Sequence, residues 1–327
     1  MQRIGGVLLA MLACWGINAF AQSESSPQVF APGTISGPAG EDSAAFSPDG
    51  NTLVFDRSSG QNQLILVAHR VGGQWQAAQI APFSGRWLDH DPAMSPDGRF
   101  VVFSSNRPDT ADGKALDAQL DNGKVSPGWG GRLWKVERHG DRWGDPVLLP
   151  VTVNQGTRTY SPSIAADGTL YFQRPVAGGG QGAFKLYRSV YRNGAYQEAE
   201  PLKLGTAESH ELDPAIAPDQ SFIVFDANDA GKDGPDRLYI AFREGDGWSK
   251  PVDLGDEVNR GQPWGSHLGP DGHTLYFSST RGTRTAYPRA PGQAQQDLVR
   301  MQSWDNGNDN LWSVSLVPWL DAHRQNG

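Results

Sequence analysis

Polar side chains recur in five short segments along the 327-residue chain, and four of the segments carry histidine, aspartate or glutamate. The five segments are GEDS (40–43), WLDHD (87–91), TYS (159–161), SHELD (209–213) and WGSH (264–267). Paired carboxylates can act as acid and base in the cleavage of a polysaccharide, and histidines with carboxylates can hold a divalent ion. Aromatic side chains can instead bind a protein or sugar surface. Which of these chemistries is open to the segments depends on whether the fold brings them together.

The carboxylates and histidines of these segments are the candidates for catalysis and for metal binding. The carboxylates that could form an acid–base pair are Asp89, Asp91, Glu211 and Asp213, and no sequence feature marks which two would act. The candidate metal ligands are His90, His210 and His267. These histidines stand 7, 9 and 4 residues before the repeated aspartates described below, which predicts different depths in the fold. We therefore predict no cofactor, with a bound divalent metal as the alternative.

A binding site is the leading interpretation, because two long insertions would border the opening where these segments meet, called the mouth. Residues 108–131 and 282–309 are far longer than ordinary turns, and long loops on a rigid scaffold tend to carry binding functions. The candidate binding residues are Trp87, His90, Trp129, Tyr160, His210, Trp264, His267 and Trp304. A plainer alternative stays open, in which the polar residues only line a solvated channel and the aspartates before Pro92 and Pro214 cap strand entries.

A repeated phrase supplies the scaffold that must position these residues. It reads FSPDGNTLVF at 46–55, MSPDGRFVVF at 94–103 and LGPDGHTLYF at 268–277, with two weaker copies between the last two. Its aspartates are Asp49, Asp97, Asp167, Asp219 and Asp271, spaced 48, 70, 52 and 52 residues apart. Pro, Asp and Gly suit successive positions of a tight turn, and an apolar strand follows each turn. A period near 50 residues with four short strands per unit predicts a β-propeller.

The predicted fold is all-β: one domain over 22–327 that forms a five-bladed β-propeller of four-stranded antiparallel blades. The fifth repeat runs out before its outermost strand, so we predict that an N-terminal strand within 27–40 completes it and leaves no open sheet edge. The predicted blades span 41–86, 87–158, 159–208, 209–262 and 263–318. The arginines that end four of the second strands, and that we assign to a repeated structural pairing, are Arg57, Arg107, Arg174 and Arg281.

The repeats resemble those of TolB-type propellers, the WD40-like Pro-Asp-Gly family of bacterial envelope proteins. The segments that carry the resemblance are DPAMSPDGRFVVFSSNRP, DPAIAPDQSFIVFDAND and DRLYIAFREGDGWSKPVDLGDEVN, and the resemblance covers almost all of 41–316. Members of the family include periplasmic components of the cell envelope, so the resemblance implies an envelope protein or an oligosaccharide as partner. The chain has five repeats where TolB usually has six. We find in its sequence neither the N-terminal domain of TolB nor a peptidoglycan-binding C-terminal domain.

The N-terminal residues and the composition indicate the cellular compartment and limit the classes of partner. Residues 1–21 have a positive start at Arg3, an apolar run and an Ala-Phe-Ala end, which predicts a cleaved secretory signal peptide. A lipoprotein signal ending at Cys14 is the less favoured alternative, since Met11 and Leu12 fit it poorly. No later apolar run is long enough to span a bilayer, and a net charge of −8 argues against a nucleic-acid partner. We therefore expect a periplasmic or secreted monomer.

These observations predict non-enzymatic binding of an envelope protein or saccharide at the loop-rich face of the propeller. The alternative is a carbohydrate-active hydrolase or lyase that uses carboxylates and histidines at the channel mouth, with or without a metal. The two predictions differ in what the mouth tolerates. An enzyme would lose activity on a single change such as Asp91→Asn, whereas a binding module would respond to changes of loop residues such as Trp129 or Trp304.

Overall fold

The computed structural model describes residues 26–110, 112–176, 183–205, 210–228, 235–282 and 285–326. These residues form five antiparallel blade sheets and two two-stranded hairpins, which confirms the predicted five-bladed β-propeller. The innermost strand of each blade contacts that of the next, and the last contacts the first, so the strands surround a central channel. The predicted signal peptide, residues 1–21, lies outside the described residues.

The chain begins with β1 (Gln28–Val29) and then builds each blade from its innermost strand outward. Blade 1 consists of β2 (Gly40–Phe46), β3 (Thr52–Ser59), β4 (Asn62–Val71), β5 (Gln74–Trp75) and β6 (Gln79–Ile80). Blade 2 consists of β7 (Asp89–Met94), β8 (Phe100–Ser105), an inserted hairpin of β9 (Ala118–Gln119) and β10 (Val125–Ser126), then β11 (Arg132–His139), β12 (Arg142–Trp143) and β13 (Val147–Leu148).

The remaining three blades repeat this order. Blade 3 consists of β14 (Tyr160–Ile164), β15 (Leu170–Pro175), β16 (Phe184–Ser189), β17 (Tyr191–Arg192), β18 (Ala195–Tyr196) and β19 (Glu200–Pro201). Blade 4 consists of β20 (Glu211–Ile216), β21 (Phe222–Ala227), β22 (Arg237–Glu244), β23 (Gly247–Trp248) and β24 (Val252–Asp253). Blade 5 contributes β25 (Trp264–Leu268), β26 (Thr274–Ser279) and β27 (Asn310–Ser315) from its own repeat.

The N-terminal strand closes the ring, as the sequence predicted. β1 pairs antiparallel with β27, with Gln28 opposite Ser313 and Val29 opposite Trp312. The N–H of Phe30 then donates to the Leu311 carbonyl at 2.8 Å. Blade 5 therefore takes its outermost strand from the other end of the chain, and its sheet has no unpaired edge strand at the seam.

The outermost strand of blades 1 to 4 is shorter than predicted, because it is divided in two. In blades 1, 2 and 4 a two-residue strand closes the hairpin with the third strand, and a second two-residue strand pairs further along it. In blades 2 and 4 the second piece follows Pro146 or Pro251, and proline has no N–H to donate to the ladder. The outer rim is therefore held by few main-chain hydrogen bonds.

The core lies between neighbouring blades and is built by the apolar strands that follow the repeated turns. Each second strand contributes one phenylalanine that is at most 1% exposed. These equivalent residues are Phe55, Phe103, Phe172, Phe225 and Phe277. Because both faces of a blade are covered by its neighbours, these strands are apolar on both sides.

The repeated turns need one residue in the left-handed backbone region, and glycine fills it in four blades. Gly50, Gly98, Gly168 and Gly272 have φ between 67° and 86°. Blade 4 has Gln220 there, at φ 61°. Its side chain accepts from the Tyr171 hydroxyl (2.8 Å) and donates to Asp167 (2.9 Å), and these bonds offset the conformational cost.

Two helices in the described part of the chain lie outside the blades. α1 (Gln293–Arg300) belongs to the blade 5 insertion, and α2 (Val317–Asn326) follows β27. The Phe242 and His323 rings stack at 3.8 Å, so α2 packs against blade 4. Among the described residues, neither helix has the length and the apolar character needed to cross a membrane.

Candidate functional site

Every innermost strand has a β-bulge at the same place, and the five chemistry-bearing segments of the sequence meet there. One residue of each bulge adopts the left-handed conformation, with φ between 45° and 67°. These bulge residues are Ser43, Asp91, Ser161, Asp213 and Gly265. Aspartate tolerates this conformation better than most residues, and glycine accepts it freely. Since bulges redirect side chains, the repeated kink brings polar groups together where the strands meet.

Hydrogen bonds tie the bulges of blades 2 to 5 to the blade before each of them. The N–H of Asp91 donates to Oδ2 of Asp56 at 2.6 Å, and that of Asp213 donates to Oε1 of Gln173 at 2.8 Å. The N–H of Ser161 donates to Oδ2 of Asp91 at 3.0 Å. A polar side chain of one blade therefore fixes the backbone of the next around the channel.

Asp91 is the most heavily bonded of these groups. Its Oδ2 accepts from the hydroxyls of Ser104 and Ser161, both at 3.1 Å, and lies 2.9 Å from Nδ1 of His90. Burial alone would raise the pKa of Asp91, but the His90 charge and these hydrogen bonds lower it to about 2. Burial likewise opposes protonation of His90, yet the carboxylate beside it raises the pKa of the imidazole. Both effects favour a charged pair at the channel.

Two further aspartates lie beside Asp91, and the three together are called the aspartate cluster: Asp42, Asp56 and Asp91. One oxygen from each lies within 4.8 Å of the other two. Burial and the Asp91 charge raise the pKa of Asp42 to about 7, and burial and both neighbouring charges raise that of Asp56 well above its usual value. Oδ1 of Asp56 has no N–H or hydroxyl donor within reach in the described part of the chain, and the Asp42 carboxyl group is the side chain that can hydrogen-bond Asp56 when one of the two is protonated.

Blade 4 contributes a second pair of neighbouring aspartates to the channel. Asp213 accepts from the Ser161 hydroxyl (2.6 Å) and from the Gly265 N–H (3.1 Å). Asp226 is 1% exposed, its oxygens have no N–H or hydroxyl donor in reach among the described residues, and its hydrogen-bonding neighbour is the Asp213 carboxyl group. Burial, followed by the Asp213 charge, raises the pKa of Asp226 well above its usual value.

Replacing Asp226 with asparagine is therefore expected to stabilise the protein at neutral pH by about 1–3 kcal/mol. The folded-state pKa lies above the unfolded value near 3.8, so the folded chain retains a proton that the unfolded chain has lost at neutral pH. This cost is absent below about pH 4 and grows as the pH rises through the folded-state pKa. Urea unfolding with chelator at pH 7.5 and pH 4 should show the gain at pH 7.5 alone.

The matched control is Asp219→Asn in the same blade. Asp219 accepts hydrogen bonds from Ser221 in an exposed turn, and those bonds hold its pKa below the usual value. This change should not stabilise the protein. A gain for Asp226→Asn that is equal at both pH values would contradict the assigned cause.

Two of the four catalytic candidates are engaged in buried ion pairs. Asp89 is fully buried, and its Oδ1 lies 2.6 Å from Nη2 of Arg107. Glu211 is 1% exposed, and its Oε1 lies 2.9 Å from Nζ of Lys185. Both carboxylates stand two residues before a bulge, so the same fold position recurs with the same type of partner. These pairs join blade strands and leave Asp91 and Asp213 as the candidates that reach the channel.

The recurring arginines fit the predicted structural pairing in part. In blades 1 and 2 the arginine pairs with the carboxylate two residues before the bulge, Glu41 or Asp89. Blade 3 has Thr159 at that position, and Arg174 lies instead over the Tyr187 ring, 4.1 Å from its centroid. In blade 5 the arginine donates to two main-chain carbonyls. The position is therefore used repeatedly, with partners that differ between blades.

The three candidate histidines have separate partners. His90 pairs with Asp91, whereas Nε2 of His210 lies 2.7 Å from Asp236 at the blade 4 entry. Nε2 of His267 lies 3.1 Å from the Pro92 carbonyl of a blade across the channel, and His267 lines a cavity of about 120 Å³ beside the repeated turns. Among the described residues, the group of three side chains close enough to share an ion is the aspartate cluster, without a histidine.

Four of the predicted binding residues gather around the entries of blades 2 and 3. The Tyr160 hydroxyl donates to the Trp129 carbonyl at 3.0 Å, and the Tyr160 ring lies 5.7 Å from that of His90. Trp129 itself is 57% exposed. Trp87 is partly buried, with the Arg86 guanidinium 5.3 Å from its ring.

The insertion that carries Trp129 is braced against its blade. Nδ2 of Asn106 donates to the Gly128 carbonyl at 2.8 Å, and the Gly128 N–H donates to Asp117 at 2.8 Å. Nη1 of Arg132 lies 2.6 and 2.7 Å from the two oxygens of Asp109. These bonds fix both ends of the loop, so the exposed indole stands on a held backbone.

The two remaining tryptophans belong to blade 5 and are less available. Trp304 packs on the blade 5 core, with its ring 6.1 Å from that of Trp312. Nε1 of Trp264 donates to Asp309 at 3.4 Å, so this indole is tied to the insertion as well. Trp304 thus anchors the insertion to its blade. The exposed apolar residues of the insertion lie elsewhere. They are Tyr287, Leu298, Val299 and Met301.

Asp56 and Asp226 were not among the residues singled out from the sequence. Both follow the buried phenylalanine of a second strand, in LVFDR and IVFDA. The same position holds Ser104, Gln173 and Ser278 in the other blades. Aligning the five second strands would have revealed a polar residue closing each apolar run, which is the signal that these side chains serve the channel.

No family model matches the chain, and no curated protein matches it. Among solved structures, it resembles a TolB-type protein from Agrobacterium tumefaciens at 17% identity, over 77% of this chain and 74% of that one, with a TM-score of 0.47. TolB-type propellers are among its structural neighbours. So are a gluconolactonase from Xanthomonas campestris (15% identity, 80% and 77% covered, TM-score 0.47) and a thermostable family-43 glycoside hydrolase (11%, 86% and 92%, 0.51). At these identities the similarity shows the fold alone.

Proposed function

We propose that this protein is a non-enzymatic, exported propeller that binds a protein partner at the face formed by its two insertions. The observation that carries the proposal is Trp129, which is 57% exposed on a loop braced at both ends. A large aromatic group on a rigid backbone loses little conformational freedom on binding, and such groups dominate interface energies. The signal-peptide pattern in 1–21 supports export.

The second insertion adds apolar surface to the proposal. Around α1, Tyr287 is 74% exposed, Val299 64%, Met301 58% and Leu298 55%. Aromatic residues and methionine are enriched in the buried cores of interfaces. The helix is held by Asp297, which is buried among basic side chains of the same insertion.

The carbohydrate-active alternative has less support from the geometry. A glycosidase needs two available carboxyl groups on opposite sides of a sugar ring. Asp89 and Glu211 are buried in ion pairs, and Asp91 is 8% exposed with several donors on one oxygen. The acids that hydrolysis would require are thus largely occupied by the scaffold.

The test is binding of the purified protein to fractions of a bacterial envelope extract, followed by affinity measurement with the protein that is retained. Trp129→Ala should weaken that affinity by about 30-fold, the effect of removing a hot-spot residue worth about 2 kcal/mol. Tyr191→Ala is the matched control, because Tyr191 is 42% exposed and lies beside Gly168 of the repeated turn in blade 3. It should leave the affinity unchanged.

Two other results would redirect the assignment. Affinity for oligosaccharides or peptidoglycan fragments, lost in Trp129→Ala, would make the face a saccharide site. Release of reducing ends from a polysaccharide by the wild type, but not by a folded Asp91→Asn variant, would overturn the proposal in favour of the hydrolase.

A further inference from the structure

The aspartate cluster combines three carboxylates from three strands at one point of the channel. Asp42 comes from β2 and Asp56 from β3 of blade 1, and Asp91 comes from β7 of blade 2. One oxygen of each lies within 4.8 Å of the other two, so a single ion between them could contact all three. Any such ion would join blade 1 to blade 2.

Burial makes this arrangement costly without a counter-ion. The three residues are 1%, 0% and 8% exposed. The arginines that end the second strands of these two blades pair with Glu41 and Asp89, two positions before each bulge. His90 is paired with one member of the cluster, through Asp91. Neighbouring buried carboxylates repel one another and require a compensating cation or proton.

A second observation points to a ligand at the same place. Oδ2 of Asp56 accepts the N–H of Asp91 at 2.6 Å, which fixes the carboxylate between the two blades. Its Oδ1 is buried and has no N–H or hydroxyl donor in reach within the described ranges, and the side chain that can hydrogen-bond the Asp56 carboxylate is a protonated Asp42. Buried polar atoms are nearly always satisfied, and one that lacks a donor in an acidic cluster is available to a metal ion.

We propose that Asp42, Asp56 and Asp91 bind a divalent cation of the calcium class and thereby lock blade 1 to blade 2 at the channel. An all-carboxylate donor set favours hard cations such as Ca²⁺, Mg²⁺ or Mn²⁺ over Zn²⁺ and Cu²⁺. Mg²⁺ demands near-ideal octahedral geometry, whereas Ca²⁺ accepts an irregular arrangement, so three carboxylates fixed by the blades suit Ca²⁺. Ca²⁺ takes six to eight oxygens, and water would supply the rest. This site is independent of the proposed partner-binding face.

The experiment measures metal uptake and thermal stability on the full chain after chelator treatment and dialysis. We expect one Ca²⁺ per chain by elemental analysis after equilibrium dialysis. The melting temperature should rise by about 5 °C at a Ca²⁺ concentration a hundredfold above Kd. Asp56→Asn should lose at least tenfold in Ca²⁺ affinity. In chelator it should be at least as stable as the wild type, because Asn still accepts the Asp91 N–H.

Asp226→Asn is the matched control, since it removes the carboxylate from the same second-strand position of blade 4 and should keep the calcium response. Asp42→Asn is a second test within the cluster, and it should weaken Ca²⁺ binding as Asp56→Asn does. Absence of uptake by the wild type would overturn the proposal. So would unchanged uptake by folded Asp56→Asn and Asp42→Asn variants, or equal loss in Asp226→Asn.

Discussion

Replacing Asp91 with alanine is expected to lower the free energy of unfolding by about 3–5 kcal/mol, measured by urea denaturation at pH 7 in chelator. The change leaves the Ser104 hydroxyl without its buried acceptor and removes the nearer acceptor of the Ser161 N–H, whereas the Ser161 hydroxyl keeps Asp213. It also leaves His90 without the carboxylate that stabilises its charge. Each unpaired buried donor costs about 1–3 kcal/mol, and relief of repulsion from the neighbouring aspartates offsets part of the loss.

Asp213→Ala provides the matched comparison for this prediction. Both residues occupy the left-handed bulge position, with φ of 52° and 45°, and both precede a proline, so alanine causes similar backbone strain. Asp213 accepts two hydrogen bonds and its pKa is raised by burial and the Asp91 charge. Its loss should cost about half as much. Equal losses at the two positions would mean that backbone strain, and not the Asp91 hydrogen bonds, dominates.

The acid side of the stability curve gives a further readout on the same variant. The folded-state pKa of Asp91 is about 2, below the ordinary 3.8, so its contribution is present above pH 4 and is lost as the pH falls towards 2. A shift of this size corresponds to about 2 kcal/mol. Between pH 4 and pH 2 the free energy of unfolding of Asp91→Ala should therefore fall less than that of the wild type.

Replacing Arg107 with methionine is the second change with a large expected effect, about 3–5 kcal/mol. Nη2 of Arg107 lies 2.6 Å from the fully buried Asp89 and donates to the Phe83 carbonyl at 2.9 Å. Its guanidinium also lies 4.9 Å from the Phe103 ring centroid. Methionine preserves much of the side-chain volume but leaves the buried Asp89 carboxylate without a cation. This uncompensated charge accounts for most of the expected loss in the free energy of unfolding.

A double-mutant cycle isolates this term. Asp89→Asn combined with Arg107→Met should be less destabilised than the sum of the two single variants, because the double variant has no uncompensated charge. Arg57→Met is the control at the equivalent position of blade 1, where the Arg57 side chain is 32% exposed. It should cost about 1 kcal/mol. A loss for Arg107→Met no larger than for Arg57→Met would contradict the assigned role of burial.

The repeat spacing was enough to predict the propeller, the blade number and the closing strand, because turn chemistry and apolar strands are local signals. The site was harder to predict. Asp89 and Glu211 look equivalent to Asp91 and Asp213 in the sequence, since all four lie at strand entries. Only the packing of strands shows that two of them meet a cation and two reach the channel.

The sequence also hid residues that the fold makes central. Asp56 appears as a polar interruption of an apolar strand, and nothing local indicates that it accepts an N–H from the bulge of the next blade, 35 residues later. Trp304 appears as a surface aromatic in a long loop, yet it packs on the blade 5 core. In both cases contacts between distant parts of the chain decide the role.

The pairing of β1 with β27 also dictates an order of events when the chain is made. Gln28 cannot meet Ser313 until 285 further residues have been synthesised, which takes about 15–60 s at ordinary elongation rates. Throughout that interval the ring is open at one seam, and the edges of the first and last blades lack their neighbours. A nascent chain in this state is a natural client for a chaperone. A tag fused directly before Gln28 would interfere with the pairing of β1 and β27. A tag fused after α2 would be tolerated better.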